Sequence, residues 1–271
     1  MRIGVLGCAG RMGRAVMAEL LGREDLQLAG GAEPPGHPEL GQDLGVLAGG
    51  RPVGLTAAAD ARALIAASDV VIEFSSPAAT VAHAGLAAAE RTGHVIGTTG
   101  LSASEEQAVR AAAERTAILR AANMSLGINL LLEVAWQVAR ALGPDAFDVE
   151  ILEMHHRHKV DAPSGTALAL GAAVARGRGV GLAEVADRGR DGLTGARRAG
   201  AIGFAALRGG DVVGDHAVIF AGVGERLELT HRASDRRIYA KGAVRAAEWL
   251  HGRPPGLYGM AEVLGLGARE G

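Results

Sequence analysis

The segment Glu153-Met-His-His-Arg-His-Lys-Val-Asp-Ala-Pro-Ser-Gly-Thr166 sets three histidines, an arginine and a lysine directly before a Pro-Ser-Gly-Thr turn. An imidazole ordinarily titrates near neutrality and so suits proton transfer. A positioned acid or base of this kind typically contributes roughly 10²–10⁴ in rate. If the strand holding Glu150–Met154 runs on, alternation puts His155, Arg157 and Lys159 on one face and His156 and His158 on the other. His155 and Lys159 are therefore candidates for general acid–base chemistry. Just beyond them, Pro163 stiffens the chain, Ser164 can cap, and Gly165 and Thr166 offer helix-start N–H groups to an anion such as a carboxylate. A metal site fits poorly, because the cluster has no cysteine and Arg157 and Lys159 would repel a cation. A solvated charged strand and a plain helix cap are the other readings open at this point.

A second candidate lies at the start of the chain. Gly7-Cys8-Ala9-Gly10-Arg11-Met12-Gly13 follows an apolar strand and opens a helix, the context in which a glycine loop binds a dinucleotide pyrophosphate. Its spacing is Gly-x-x-Gly-x-x-Gly, with Ala9 where the standard fingerprint has its second glycine, so a simple tight turn is the competing reading. Glu33 lies 20 residues beyond Gly13, after the second strand, where a carboxylate can bind the adenosine ribose and repel a 2′-phosphate. Pro34 brings no charge to that phosphate, whereas Arg11 could pair with it. The cofactor is expected to be NADH or NADPH, with Glu33 and Pro34 favouring NADH. Cys8 is read mainly as a small residue that fits the loop, although a thiol beside a helix start can have a lowered pKa.

Composition narrows the function class. Net charge is −2 and aromatics make up 3%, so neither a basic field nor a base-stacking platform for nucleic acid is present. A single cysteine excludes an intramolecular disulfide and fits a reducing compartment. No apolar run approaches a membrane span, and the opening Met-Arg-Ile-Gly-Val-Leu-Gly suits a buried strand better than a signal peptide. The expectation is a cytoplasmic protein without nucleic-acid or membrane partners.

Hydrophobic periodicity supplies the elements that must position these residues. Strands are predicted at Arg2–Leu6, Leu26–Gly31, Asp69–Phe74, His94–Gly97 and Ala117–Ala121, alternating with helices at Arg11–Leu21, Asp60–Ala67, Pro77–Arg91 and Ser102–Glu114. Ser102 and Glu105 have capping-box spacing. This alternation predicts an α/β fold with a Rossmann-type, doubly wound parallel sheet. Beyond it the pattern changes to a long apolar helix at Ile128–Leu142, a strand at Phe147–His155 and a helix at Ser164–Ala175. Gly177–Gly195 reads as loop, and Ile202–Leu207, Val212–Phe220 and Arg226–Arg232 as antiparallel strands. The second domain is thus expected to be α+β, with a mostly antiparallel sheet. The tail returns to helix at Tyr239–Leu250. The predicted division is residues 1–122 with 233–271 for the dinucleotide, and 123–232 for substrate binding and oligomerisation.

At this point the chain resembles the 4-hydroxy-tetrahydrodipicolinate (dihydrodipicolinate) reductase family. The likeness is strongest in Glu153–Leu168, and extends to Gly7–Gly13, Gly97-Thr-Thr-Gly100, Ala121-Ala-Asn-Met-Ser-Leu-Gly-Ile-Asn129 and Gly214-Asp-His-Ala-Val-Ile-Phe220. The resemblance implies NAD(P)H-dependent reduction of a small cyclic dicarboxylate with loss of water, and a homotetramer built by the second domain. It implies that the nicotinamide lies near Gly97, Thr98 and Thr99, with Ala121, Ala122, Asn123 and Met124 beside it at a hinge. It implies that His155 donates a proton, that Lys159 is the second catalytic acid or base, and that His156, Gly165 and Thr166 contact the substrate carboxylate. Pro34 and Met124 stand where some members carry arginine and phenylalanine. An amino-acid dehydrogenase of the same two-domain build, or a nucleotide-sensing module, would keep the glycine loop but have no use for His155 and Lys159.

Overall fold

The structure is a computed structural model that describes residues 1–266. In chain order its first elements are β1 (Arg2–Leu6), α1 (Arg11–Leu21), β2 (Gln27–Ala32), α2 (Leu44–Leu47), β3 (Ala57–Ala58) and α3 (Ala61–Ala67). β4 (Val70–Glu73), α4 (Pro77–Glu90), β5 (Gly93–Ile96), α5 (Ala103–Ala113), β6 (Ala117–Arg120) and α6 (Leu126–Ala141) follow. Then come β7 (Asp148–His155), α7 (Gly165–Gly177), α8 (Leu182–Val185), β8 (Ala186–Asp187), β9 (Ile202–Arg208), β10 (Gly214–Ala221) and β11 (Arg226–Ala233). The last are α9 (Arg237–Leu250), β12 (Gly256–Tyr258) and α10 (Met260–Val263).

The chain forms two compact units. The first comprises residues up to Leu126 and from Arg237 onward, the second Gly127–Arg236. Both boundaries fall a few residues later than the sequence pattern suggests, and at the second β11 runs to Ala233 before the chain turns.

In the first unit a parallel sheet has the order β12-β6-β5-β4-β1-β2-β3. The order reverses between β1 and β4, and ligands of such sheets bind at the carboxyl ends of the strands beside that switch point. β1 and β4 lie in the middle and bury residues on both faces, which is why Ile3, Val5, Val70, Val71 and Ile72 form unbroken apolar runs. Helix signals act where the residues place them. Ser76 caps α4 ahead of Pro77, and Ser102 and Glu105 form the capping box of α5. Four small elements escape periodicity: α2, the two-residue β3, α10, and β12, which adds Gly256–Tyr258 beside β6. Segments so short carry too few residues to show a period.

In the second unit the strand order is β11-β10-β7-β9-β8. The sheet is mixed, which corrects the antiparallel reading of β9. β10 is antiparallel to β7 and β11, but β9 lies parallel to β7 on its far side, and β8 parallel to β9. The Gly209-Gly210 turn does not close a β9–β10 hairpin. It bonds back to the end of β7, Gly209 N–H donating to His155 O (3.0 Å) and Arg157 N–H to Gly210 O (3.2 Å). The stretch read as loop at Gly177–Gly195 contains α8 and β8, the edge strand of this sheet. Helices α6 and α7 cover one face, packing Leu131, Ala135, Leu170 and Val174 against Val149, Ile151, Phe204, Val218 and Phe220.

Candidate active site

On the first unit, β1 delivers the chain into the glycine loop. Gly7 has φ of +77°, and a Cβ at Gly13 would meet the Gly7 carbonyl oxygen at 2.1 Å, so helix and loop pack as closely as a glycine permits. Gly10 caps α1 without a side chain, leaving the first-turn amides of the helix to an external acceptor. Glu33, at the end of β2, accepts a hydrogen bond from Ala9 N–H (2.6 Å). It thereby fixes the loop. Gly7, Ala9, Gly10, Glu33 and Pro34 all line one cleft of about 480 Å³, together with His37, Phe74, Ser75 and His83. Such a volume fits part of a dinucleotide, and the side-chain-free cradle suits its phosphates. Gly97, Thr98 and Thr99 follow β5, and Ala121–Met124 follow β6, both at the carboxyl edge of the same sheet. Thr98 Oγ1 accepts from Ser75 N–H (3.1 Å) and ties the two loops together. Arg11 and Met12 begin α1 and are not among the cleft-lining residues.

Two further predicted side chains are sealed in the core. Cys8 is fully buried against Gly31, and Met124 is 2% exposed in the core of this unit, so cofactor contacts there would run through the backbone. Burial, with Glu33 adding to it, pushes the Cys8 thiol up to about 12, which overturns the reactive-thiol reading. The native protein is therefore expected to keep Cys8 unmodified by iodoacetamide at pH 8 over hours, and to react on unfolding. Mass spectrometry of labelled native protein reads this directly, and rapid native alkylation would show the loop to open.

A network that the sequence did not announce reaches this cleft through Ser75 and His83. Glu73 ends β4 and is fully buried. Its Oε1 lies 2.7 Å from His83 Nδ1 and its Oε2 2.7 Å from His94 Nε2, and Ser75 Oγ donates to Oε1. Burial alone would raise this carboxyl, but the two imidazoles outweigh it and hold it at about 2. The available signal was a charged residue closing a fully apolar strand, which must find partners if buried.

On the second unit, β7 alternates strictly, putting Val149, Ile151, Glu153 and His155 on the covered face. The strand stops at His155. Lys159 N–H donates to His156 O (3.1 Å) in the turn that follows, so Arg157 and Lys159 do not continue the His155 face. Lys159 reaches its position through the turn, and its Nζ donates to both Asp161 oxygens (2.7 and 2.9 Å). That pairing holds the Asp161 carboxyl below its usual range. His156 lies 3.3 Å from Arg236 Nη2, and burial, then Arg236, pushes its pKa down. Ser164 caps α7, accepting from Ala167 N–H (3.1 Å), so Gly165 and Thr166 occupy its first turn. His155, Lys159, Gly165 and Thr166 thus come from one strand end, one turn and one helix start.

Glu153 joins these parts. It is 1% exposed and receives Ser164 N–H on Oε1 (3.1 Å), stitching the helix start to the strand. Arg208 of β9 donates to both carboxylate oxygens (2.9 and 2.8 Å), and His155 Nδ1 lies 2.5 Å from Oε2. Burial would raise the Glu153 carboxyl, but Arg208 and His155 more than offset it and keep it below the ordinary range. His216 of β10 stands edge-on to His155, with ring centroids 5.1 Å apart, and burial pushes it down to about 4. Sequence reasoning assigned no role to Glu153, Arg208 or His216, although Glu153 heads the His-rich motif and His216 lies within Gly214–Phe220.

The chain is similar to known proteins over nearly its whole length. The family model for dihydrodipicolinate reductase, N-terminus, matches residues 1–124, and that for its C-terminus matches residues 127–264. The chain is 57% identical over 266 residues to the 4-hydroxy-tetrahydrodipicolinate reductase of Parvibaculum lavamentivorans, covering 98% of each chain. It is 54% identical to that of Brucella abortus, over 97% of this chain and 98% of the relative. Among solved structures, a dipicolinate-bound dihydrodipicolinate reductase from Paenisporosarcina sp. TG-14 shares the fold with a TM-score of 0.78 at 24% identity, covering 97% of this chain and 98% of that one. An amine dehydrogenase from Mycobacterium smegmatis shares it more loosely, with a TM-score of 0.56 at 16% identity, over 95% of this chain and 94% of that one.

Proposed function

The chain belongs to the dihydrodipicolinate reductase family, and from that premise we propose how its residues divide the work. The enzyme reduces 4-hydroxy-tetrahydrodipicolinate to tetrahydrodipicolinate with loss of water, in lysine and diaminopimelate biosynthesis, using NAD(P)H. The first unit is the dinucleotide domain. Its glycine loop and the first turn of α1 hold the pyrophosphate, Glu33 receives the ribose hydroxyls, and the loops after β5 and β6 take the nicotinamide end. The dinucleotide bound there supplies the hydride.

The second unit binds the dicarboxylate. Gly165 and Thr166 present helix-start N–H groups to one carboxylate, and Lys159 and His156 add donors beside it. His155 passes the proton that completes reduction, from Nε2. The observation that carries this assignment is the Glu153 network, which fixes His155 beside the start of α7. Lys159 is a second proton-transfer group or a charge that holds substrate.

The five-stranded sheet also supports a homotetramer. Helices cover one face, while Leu152, Met154, Ala205, Leu207, Ala217 and Ile219 share the other. A sheet face of this composition calls for a partner surface, and a second copy of this domain would supply one. No helix among the described residues is long and apolar enough to cross a membrane, and a cytoplasmic enzyme is the reading that fits the single cysteine.

Glu33 and Pro34 favour NADH over NADPH. With substrate generated in situ from pyruvate and aspartate semialdehyde by the preceding synthase, kcat/KM is expected to be at least about tenfold higher for NADH, a difference of about 1.4 kcal/mol. Pro34→Arg should narrow or reverse that ratio. A folded protein that binds a nicotinamide cofactor without turnover would remove the site assignments, and a higher kcat/KM for NADPH would remove the preference.

A further inference from the structure

A carboxylate buried beside a proton-transferring imidazole has two uses: it can bind substrate, or it can control the imidazole. Glu153 is committed to the second. Arg208 occupies both of its oxygens, Ser164 N–H adds to Oε1 and His155 adds to Oε2. Nothing of the carboxylate is left to face a ligand, and a dicarboxylate would be repelled by it.

We propose that Glu153, clamped by Arg208, is a positioning residue that fixes the tautomer of His155. An ionised carboxylate only accepts hydrogen bonds, so the nitrogen facing it at 2.5 Å must carry a proton. His155 therefore keeps Nδ1–H in both charge states, and the exchangeable proton belongs to Nε2. The nitrogen that is bonded decides which one is free, and here the bond is set by the protein rather than by substrate. Arg208 keeps Glu153 in the accepting form: it neutralises the carboxylate, and its two parallel bonds hold the plane of the group.

Two neighbours complete the device. Gly214 lies beside the ring, and a Cβ there would stand 3.0 Å from His155 Nε2, so glycine leaves the exchanging nitrogen uncovered. His216 presents an edge to the ring and lies 3.3 Å from Ser164 Oγ through Nε2. It fills the space beside His155 without offering a competing carboxylate. The groups around His155 are thus Glu153 on its own strand, Arg208 on β9, His216 on β10, and Lys159 with Asp161 in the following turn.

This inference rests on His155 as the proton donor, and the test separates the two. Nitrogen-15 imidazole spectra of the wild-type protein should show neutral His155 protonated at Nδ1 and bare at Nε2, with the resonance assigned by its loss in H155A. E153Q, and the double variant E153M/R208M that removes both charges, should lose this tautomer bias. Their kcat should fall by about 10–100-fold, the usual penalty for deleting an orienting partner, while KM stays within about threefold. Wild-type His155 found as the Nε2–H tautomer would overturn the proposal even if both Glu153 variants failed to fold. So would a folded double variant with wild-type kcat, provided that H155A is impaired. If H155A itself keeps wild-type kcat, the proton-donor assignment fails first.

Discussion

His155→Ala is expected to lower kcat with saturating substrate by about 10²–10⁴-fold while leaving nicotinamide binding unchanged. The ring is 9% exposed, aligned through Nδ1 and packed edge-on against His216, so its loss removes the proton path and leaves a gap that thermal unfolding of the variant must show the fold tolerates. Lys159→Ala separates two roles. If the ammonium mainly holds a substrate carboxylate, KM rises by about 10-fold or more and kcat is retained; if it moves a proton, kcat falls as well. The turn geometry bears on this, because Lys159 Nζ is already paired with Asp161 and substrate must compete for it or share it. Steady-state kinetics of both variants check the assignment, and near wild-type kcat in both would remove it.

Glu73→Ala is expected to be the most destabilising single change in the dinucleotide domain. It strips the acceptor from two imidazoles and a hydroxyl at a fully buried position. Breaking a buried pair by removing one partner costs about 3–5 kcal/mol, and for a protein of this size about 10 °C in Tm. The pH dependence has a definite sign. The carboxyl is held at about 2, against an ordinary value of 4.5. A depressed acid stabilises the fold above its unfolded value and loses that contribution as pH falls from about 4.5 towards 2. The stability gap between wild type and Glu73→Ala should therefore be full at pH 6 and close across that window. Thermal unfolding at a series of pH values measures it, and a gap independent of pH would show that the network does not depend on an ionised Glu73. A weaker affinity for NADH would accompany the loss, since His83 lines the cleft proposed for the nucleotide.

Much of this was legible in the sequence because it is local. The apolar runs at Arg2–Leu6 and Asp69–Phe74, the helix at Arg11–Leu21 and the capping box at Ser102 follow from side chains a few residues apart. The glycine loop is local too, since its steric requirement falls on Gly7 and Gly13 and both are in the motif. So is the α7 start, where Ser164 caps as its type and place predict. The motif at Glu153–Thr166 offered proton-transfer and anion-binding groups through its residue types, and the family resemblance gave them their expected roles.

What periodicity could not reach is pairing across the chain. Nothing in Ile202–Arg208 says that it runs parallel to β7 and not back along β10, because the choice depends on which edge of β7 is free once β10 has paired. The end of β7 at His155 is set by bonds to Gly209 and Gly210, more than fifty residues away, and this broke the expected alternation through Lys159. The sequence by itself determined the two domain types and the glycine loop, and singled out His155 and Lys159 as candidates for proton transfer, since these readings depend on neighbours along the chain. Only the tertiary structure decided that Cys8 is sealed, that Glu73 joins His83 to His94, and that Glu153, Arg208 and His155 form one unit. Those groups become charged, neutral or oriented according to what burial brings beside them, and burial is a property of the whole fold.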